Sequence, residues 1–84
     1  MDSGAIKTAI EAGLSGSEAR VTGDGTHFEA VVISDAFEGK RMLDQHKMVY
    51  GALGDAMRTS IHALSIRTFT RSEWEKLLQE AQDS

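Results

Sequence analysis

The sequence predicts an α+β domain in which helices pack on a small three-stranded mixed sheet, in the order α-β-β-α-β-α. Two observations support this prediction: three segments carry apolar residues at helical spacing, and three others alternate or run apolar as strands do. The 84 residues are enough for one core, so we expect a single domain over 1–84. Disorder is expected only at the ends, in residues 1–3 and 80–84.

The first predicted helix begins at Ser3, which can cap it, and ends near Gly13 and Gly16. Its apolar side chains recur every four residues and form a narrow stripe. They are Ile6, Ile10 and Leu14.

A β-hairpin is predicted next, with strands at 18–22 and 27–33 around the turn at 23–26. The two glycines of that turn permit the dihedral angles of a chain reversal. Residues 30–33 are apolar on both faces, which indicates a central strand of the sheet.

Helical spacing from Met42 to Met57 predicts a long second helix, followed by a third strand over Ile61–Phe69. A crossover of this length permits parallel pairing of the second and third strands. Within the helix, Gly51 and Gly54 have the spacing of a nucleic-acid clamp. Their helical context favours a role in close helix packing instead.

The last helix has a capping box, in which Thr70 and Glu73 satisfy each other's backbone N–H groups. Phe69 and Trp74 occupy the positions of a hydrophobic staple. We expect its buried face to consist of Trp74, Leu77, Leu78 and Ala81.

Composition excludes several kinds of site. The chain has no cysteine, so it cannot form a disulfide or a thiolate metal site by itself. Its net charge of −4 opposes general attraction to nucleic acid. Nucleophile elbows and phosphate-binding glycine loops are absent from the sequence, so we expect no enzyme. With no signal peptide or apolar run of membrane length, we expect a cytoplasmic protein without membrane contact.

Three histidines are the candidate ligands: His27 opens the second strand, His46 lies in the long helix and His62 opens the third strand. If the second and third strands are parallel neighbours, His27 and His62 lie near the same end of the sheet. Two imidazoles hold a metal weakly, so a partner would have to complete such a site. The alternative is structural, with His27 on the surface, His46 in helix packing and His62 at the core edge.

Four blocks of the sequence, in this order and spanning nearly the whole chain, resemble the BolA family. The turn before the second strand is most similar to the bacterial IbaG-like branch of that family. The blocks are Phe37-x-Gly39, His46-Lys47-x-Val49-Tyr50-x-x-Leu53, Ile61-His62-Ala63-Leu64-Ser65 and Thr70-x-x-Glu73-Trp74.

The resemblance implies a class II KH-like fold with a helix-turn-helix-like portion around the second helix. It also implies a non-enzymatic partnership with a monothiol glutaredoxin, in which the two proteins share a 2Fe-2S cluster for trafficking, assembly or iron sensing. The glutaredoxin cysteine, a glutathione thiolate and histidine from the BolA partner ligate that cluster. The positions that match here are His62 and, in the turn before the second strand, His27. The isolated chain is expected to bind no cofactor.

The family resemblance also permits a DNA-binding regulator of stress response or cell morphology. Arg41, Lys47 and Arg58 would then form the phosphate-facing surface. A third alternative is homodimerisation through an exposed sheet edge or helix face, which sedimentation would decide.

Two positions depart from the family pattern. Gln45 stands where many members carry arginine, and it subtracts a positive charge from the helix-turn-helix-like surface. Arg71 stands where many members carry proline after the capping threonine. Neither departure removes a predicted ligand.

Overall fold

The computed structural model describes residues 2–54 and 64–83. Within these ranges three helices and three strands follow one another as predicted, which confirms the α+β fold class. The elements are α1 (Ser3–Gly13), β1 (Glu18–Gly23), β2 (Phe28–Ile33), α2 (Met42–Leu53), β3 (Leu64–Phe69) and α3 (Arg71–Asp83), with a 3₁₀ turn (Asp35–Phe37) between β2 and α2. Among the helices described, none is long and apolar enough to cross a bilayer.

The strand order is β1-β2-β3, so the apolar β2 is the central strand, as predicted. β1 pairs with β2 in antiparallel fashion and β2 pairs with β3 in parallel. Phe28 is opposite Leu64 at the first position of the parallel pair. The N-terminal ends of β2 and β3 therefore lie at the same end of the sheet.

The hydrophobic core lies between one face of the sheet and helices α1 and α2. Alternate residues of β2 point into it because successive side chains of a strand face opposite sides of the sheet. The core residues are Ile6, Ile10, Ala19, Phe28, Ala30, Val32, Phe37, Val49 and Leu53. The predicted stripe of α1 is thus its packed face, whereas α2 packs through Val49 and Leu53 and leaves Met42 and Tyr50 exposed.

Helix α1 is capped by Asp2, so the predicted cap at Ser3 is wrong by one residue. Asp2 is extended, with φ −100° and ψ 172°, and its carboxylate accepts the Ala5 N–H at 2.7 Å. Ser3 is already the first helical residue. Both side chains are good caps, and the backbone conformation of Asp2 decides between them.

Lys7 and Glu11 attach α1 to β1. The Lys7 ammonium donates to Glu11 Oε2 at 2.6 Å and to the Ala19 carbonyl at 2.8 Å. Glu11 Oε2 also accepts the Ala19 N–H at 3.0 Å. The hydrogen bond from Lys7, followed by that from the Ala19 N–H, holds the pKa of Glu11 below its usual range. This arrangement fixes the edge strand against the helix.

Helix α2 ends at Leu53, before the predicted end at Met57, a residue that lies outside the described ranges. Gly54 leaves the helical region with φ 57°, a value that favours glycine, and its N–H bonds the Tyr50 carbonyl at 3.0 Å. The regular spacing of apolar residues does not predict this end of the helix, because glycine also occurs inside helices.

The close helix packing predicted for the small residues of the Gly51–Gly54 segment is made by Ala52 and not by its two glycines. A Cβ added to either glycine would meet no atom of the described residues within 4 Å. The close helix contact is made instead by Gly13 of α1, where an added Cβ would lie 2.6 Å from the Ala52 Cβ. Gly13 therefore allows α1 and α2 to approach.

The predicted third strand is found from Leu64 to Phe69. Its first three predicted residues, Ile61–Ala63, lie outside the described residues. Leu64 and Ile66 pack against the core from one face of β3, while Ser65 and Arg67 are exposed on the other.

The capping box of α3 is confirmed. The Thr70 N–H donates to Glu73 Oε1 at 2.8 Å, and the Glu73 N–H donates to Thr70 Oγ1 at 3.2 Å. The rings of Phe69 and Trp74 lie 5.4 Å apart between centroids, which confirms the hydrophobic staple. Arg20 of β1 lies 5.5 Å from the Trp74 ring and links the start of α3 to the sheet.

The predicted buried face of α3 is wrong beyond Trp74. Leu77 and Leu78 are 38% and 45% exposed, and Ala81 is exposed as well. The contacts of Trp74 anchor the first turn of the helix. The helical period correctly identifies an apolar side, but only the tertiary structure decides how far along the helix that side is covered.

Candidate metal-ligand site

The turn between β1 and β2 is closed by the carboxylate of Asp24. Its Oδ1 accepts the N–H of Thr26 at 2.9 Å and that of His27 at 2.8 Å. The Asp24 N–H donates to the His27 carbonyl at 3.2 Å. The hydrogen bonds from His27 and then Thr26 hold the pKa of Asp24 below its usual range, because they stabilise the carboxylate.

His27 lies in this turn, one residue before the start of β2, rather than in the strand as predicted. Its side chain is exposed. Within the described parts of the chain, no hydrogen bond or ion pair engages the imidazole, so its nitrogens are available to a ligand.

The parallel pairing of β2 and β3 fixes the register at the start of β2, next to His27. Phe28, the next residue, is opposite Leu64 in the register. The condition for placing the two histidines at one end of the sheet, parallel neighbouring strands, is therefore met. His62 itself lies outside the described residues, and its role as a ligand stays a prediction.

His46 belongs to a different part of the molecule. It is half-buried on α2 and lines a groove of about 390 Å³ between the first turns of α2 and the C-terminal half of β3. Met42, Ile66 and Phe69 contribute the apolar part of the groove. The predicted helix-packing role of His46 stays a prediction.

No group of three or more histidine, cysteine or carboxylate residues that could hold a metal occurs within 2–54 and 64–83. Among the residues described, His27 therefore belongs to no group that could complete a metal site. Its exposed imidazole suits a site whose other ligands come from elsewhere.

The predicted phosphate-facing residues Arg41 and Lys47 are exposed on or beside α2. The Arg41 guanidinium lies 3.9 Å from the Asp44 carboxylate, which partly balances its charge. Arg58 lies outside the described residues.

Both departures from the family pattern have structural roles. Gln45 donates to the carbonyls of Phe37 at 3.0 Å and Lys40 at 2.9 Å, and it accepts from Thr68 at 2.5 Å. It therefore joins the loop before α2 to β3 instead of lying free on a basic surface. Arg71 uses its N–H to bond Asp35 at 3.2 Å, a bond that proline cannot make.

Sequence reasoning missed Asp24. The sequence predicts the turn from the Gly23-Asp24-Gly25-Thr26 cluster as a whole, although an aspartate that can bond backbone N–H groups two or three residues ahead is itself a turn signal. That signal was present in the order Asp24-Gly25-Thr26-His27.

Known proteins match this chain in sequence and in structure. Residues 7–73 match the family model described as BolA-like protein. The acid stress protein IbaG of Escherichia coli is 33% identical over 75 residues, covering 88% of this chain and 89% of that protein. The DNA-binding transcriptional regulator BolA of E. coli is 44% identical over 55 residues, covering 66% of this chain. The chain spans about half the length of that regulator, since the match covers 52% of it.

Among solved structures, a bolA protein homologue from Coxiella burnetii superposes with a TM-score of 0.83. It is 49% identical, and the match covers 89% of this chain and 97% of that one. The helices and the mixed sheet described above are thus those of a known fold.

Proposed function

The chain belongs to the BolA family, and we propose that it is a non-enzymatic adaptor that shares a 2Fe-2S cluster with a monothiol glutaredoxin. His62 and His27 are the proposed ligands from this chain. The glutaredoxin cysteine and a glutathione thiolate would provide the sulfur ligands, because this chain contains no cysteine. The shared cluster would then be passed on, assembled or used to sense iron.

The observation that carries this proposal is the parallel pairing of β2 and β3, with Phe28 opposite Leu64. His27 immediately precedes Phe28, and His62 precedes Leu64 by two residues. The strands that follow the two proposed ligands in the sequence therefore begin at the same end of the sheet.

The chemistry of imidazole supports the same proposal. Histidine is an established ligand of 2Fe-2S clusters, where it raises the reduction potential relative to an all-cysteine site. A ligating imidazole must be neutral, so acidification is expected to weaken this ligation. The His27 side chain meets the steric requirement because it is exposed and unengaged within the described residues.

The experiment is an anaerobic titration of the protein into cluster-loaded monothiol glutaredoxin with glutathione, followed by visible circular dichroism. We expect the wild type to produce a new spectrum and His62→Ala to abolish it. His27→Ala is expected to weaken the signal and shorten the lifetime of the cluster without abolishing it, because His62, the main ligand that the family resemblance implies, remains.

His46→Ala is the matched control, since it removes the third histidine from the separate groove beside α2. Its spectrum should equal that of the wild type. An unchanged spectrum in His62→Ala would disprove its assignment as a ligand. No spectral change with the wild-type protein would remove the shared-cluster function altogether.

Duplex DNA binding is the second candidate function, and the exposure of both Arg41 and Lys47 favours it. The similarity to a protein named as a DNA-binding transcriptional regulator points the same way. The net charge of −4 and the nearby Asp44 carboxylate oppose it.

If this surface contacts phosphates, binding of a DNA duplex should weaken with added salt. Replacing Arg41 and Lys47 together by alanine should reduce the slope of log K against log salt by about 2, roughly one for each lost contact. Lys76→Ala is the control, because it also removes a positive charge but does so on α3. Equal effects of the two variants would show that the surface of α2 has no special role.

A further inference from the structure

Asp24 engages both backbone hydrogen-bonding groups of His27. The His27 N–H donates to the Asp24 carboxylate at 2.8 Å, and the His27 carbonyl accepts the Asp24 N–H at 3.2 Å. The carboxylate also accepts the Thr26 N–H at 2.9 Å. One residue thus holds the main chain on both sides of the His27 Cα.

The glycines beside Asp24 make this closed turn possible. Gly25 has φ 94°, a conformation that favours glycine. At Gly23 an added Cβ would lie 2.7 Å from the His27 carbonyl oxygen and would also clash with the Phe28 ring. A side chain at Gly23 would therefore displace the very carbonyl that Asp24 bonds.

The His27 imidazole, in contrast, is exposed and unengaged within residues 2–54 and 64–83. Its main chain is restrained while its side chain is free to turn. A ligand presented from a restrained backbone loses less conformational freedom when it binds than one presented from a mobile loop.

We propose that Asp24 is a positioning residue, which holds the main chain of His27 so that the imidazole is presented toward a metal centre shared with a partner. This inference rests on the proposed function. It adds a residue that acts through hydrogen bonds to the turn, without contacting the metal centre itself.

Three variants test the inference. Asp24→Ala removes the acceptor, whereas Asp24→Asn retains a side-chain oxygen that can accept the same two N–H groups. Thr26→Ala is the matched control, because Thr26 contributes only its backbone N–H to this turn. Urea unfolding of each variant establishes that the domain remains folded.

The first readout is amide hydrogen exchange of His27 in the protein without its partner. We expect Asp24→Ala to accelerate exchange about tenfold, because one hydrogen bond to a charged acceptor is lost. Asp24→Asn and Thr26→Ala should exchange nearly as the wild type does. A purely structural effect on the core would instead accelerate exchange throughout β2.

The second readout is the lifetime of the cluster formed with glutaredoxin and glutathione. We expect Asp24→Ala to shorten it roughly tenfold, toward the lifetime with His27→Ala, as the loss of groups that orient metal ligands does elsewhere. Asp24→Asn should restore most of the lifetime.

The outcomes separate this inference from the function on which it rests. A shortened lifetime in His27→Ala but not in Asp24→Ala would overturn the positioning role and leave the proposed function in place. An equally shortened lifetime in Asp24→Asn and Asp24→Ala would also overturn the positioning role. The negative charge of Asp24, and not its hydrogen bonds, would then be responsible. If amide exchange of His27 is unaltered in Asp24→Ala, the positioning role is likewise overturned. No effect of either histidine variant would overturn both proposals.

Discussion

Phe37→Ala is expected to destabilise the protein by about 3–5 kcal/mol, the range found when a buried phenylalanine is truncated. Phe37 is fully buried, with no exposed surface, although it lies in a 3₁₀ turn rather than in a helix or strand. Its ring joins the core formed by α1, α2 and the sheet. A domain of this size has a free energy of unfolding of about 4–13 kcal/mol, so the loss is a large fraction of its stability.

Urea unfolding followed by far-ultraviolet circular dichroism measures this effect. Leu77→Ala is the matched control, because Leu77 is 38% exposed on α3. Its truncation is expected to change the free energy of unfolding by about 0.5 kcal/mol or less. Similar losses in the two variants would contradict the assignment of Phe37 to the core.

Gly13→Ala is expected to lower the free energy of unfolding by roughly 1–2 kcal/mol. The added Cβ would lie 2.6 Å from the Ala52 Cβ and 2.7 Å from the Ala52 Cα, so the two helices would have to move apart. Overpacking of this kind costs about 1–3 kcal/mol. The better helix propensity of alanine offsets up to about 1 kcal/mol of that cost.

Gly51→Ala provides the control within the partner helix. A Cβ at Gly51 meets no atom of residues 2–54 and 64–83 within 4 Å, so the gain in helix propensity is the expected effect. We expect this variant to be more stable than the wild type by about 0.5–1 kcal/mol. Thermal unfolding should therefore move in opposite directions for the two substitutions. Stabilisation by Gly13→Ala would show that α1 and α2 are less closely packed than described.

The residues that identify the family are largely those that build the fold. Phe37, Val49 and Leu53 are buried core residues, and Gly39 has the positive φ of 75° that its loop requires. Thr70 and Glu73 form the capping box. The sequence blocks therefore predict the fold more directly than they predict the proposed function, which would require His62 and a partner.

A departure from the family pattern, Gln45, also separates what local sequence predicts from what the fold decides. From the sequence, Gln45 represents only the loss of a positive charge from a surface. In the fold its amide instead joins the carbonyls of Phe37 and Lys40 to Thr68 of β3. A residue 23 positions away in the chain determines that role, and local sequence carries no sign of it.

The sequence alone determined the α+β class, the element order, the central position of β2 and the capping of α3. These features depend on interactions between near neighbours or on apolar periodicity, both of which are written along the chain. His27 could be selected in the same way, because its position follows directly from a glycine-rich turn before an apolar strand.

Only the tertiary structure decided that Gly13 rather than Gly51 permits the helix contact, that α3 leaves Leu77 and Leu78 exposed, and that Asp24 holds the main chain of His27. Each depends on distances between segments or on the backbone dihedral angles of a particular turn. The hydrophobic effect selects which faces are buried without specifying which atoms meet, because it is non-directional. Close packing and hydrogen-bond geometry then determine those contacts.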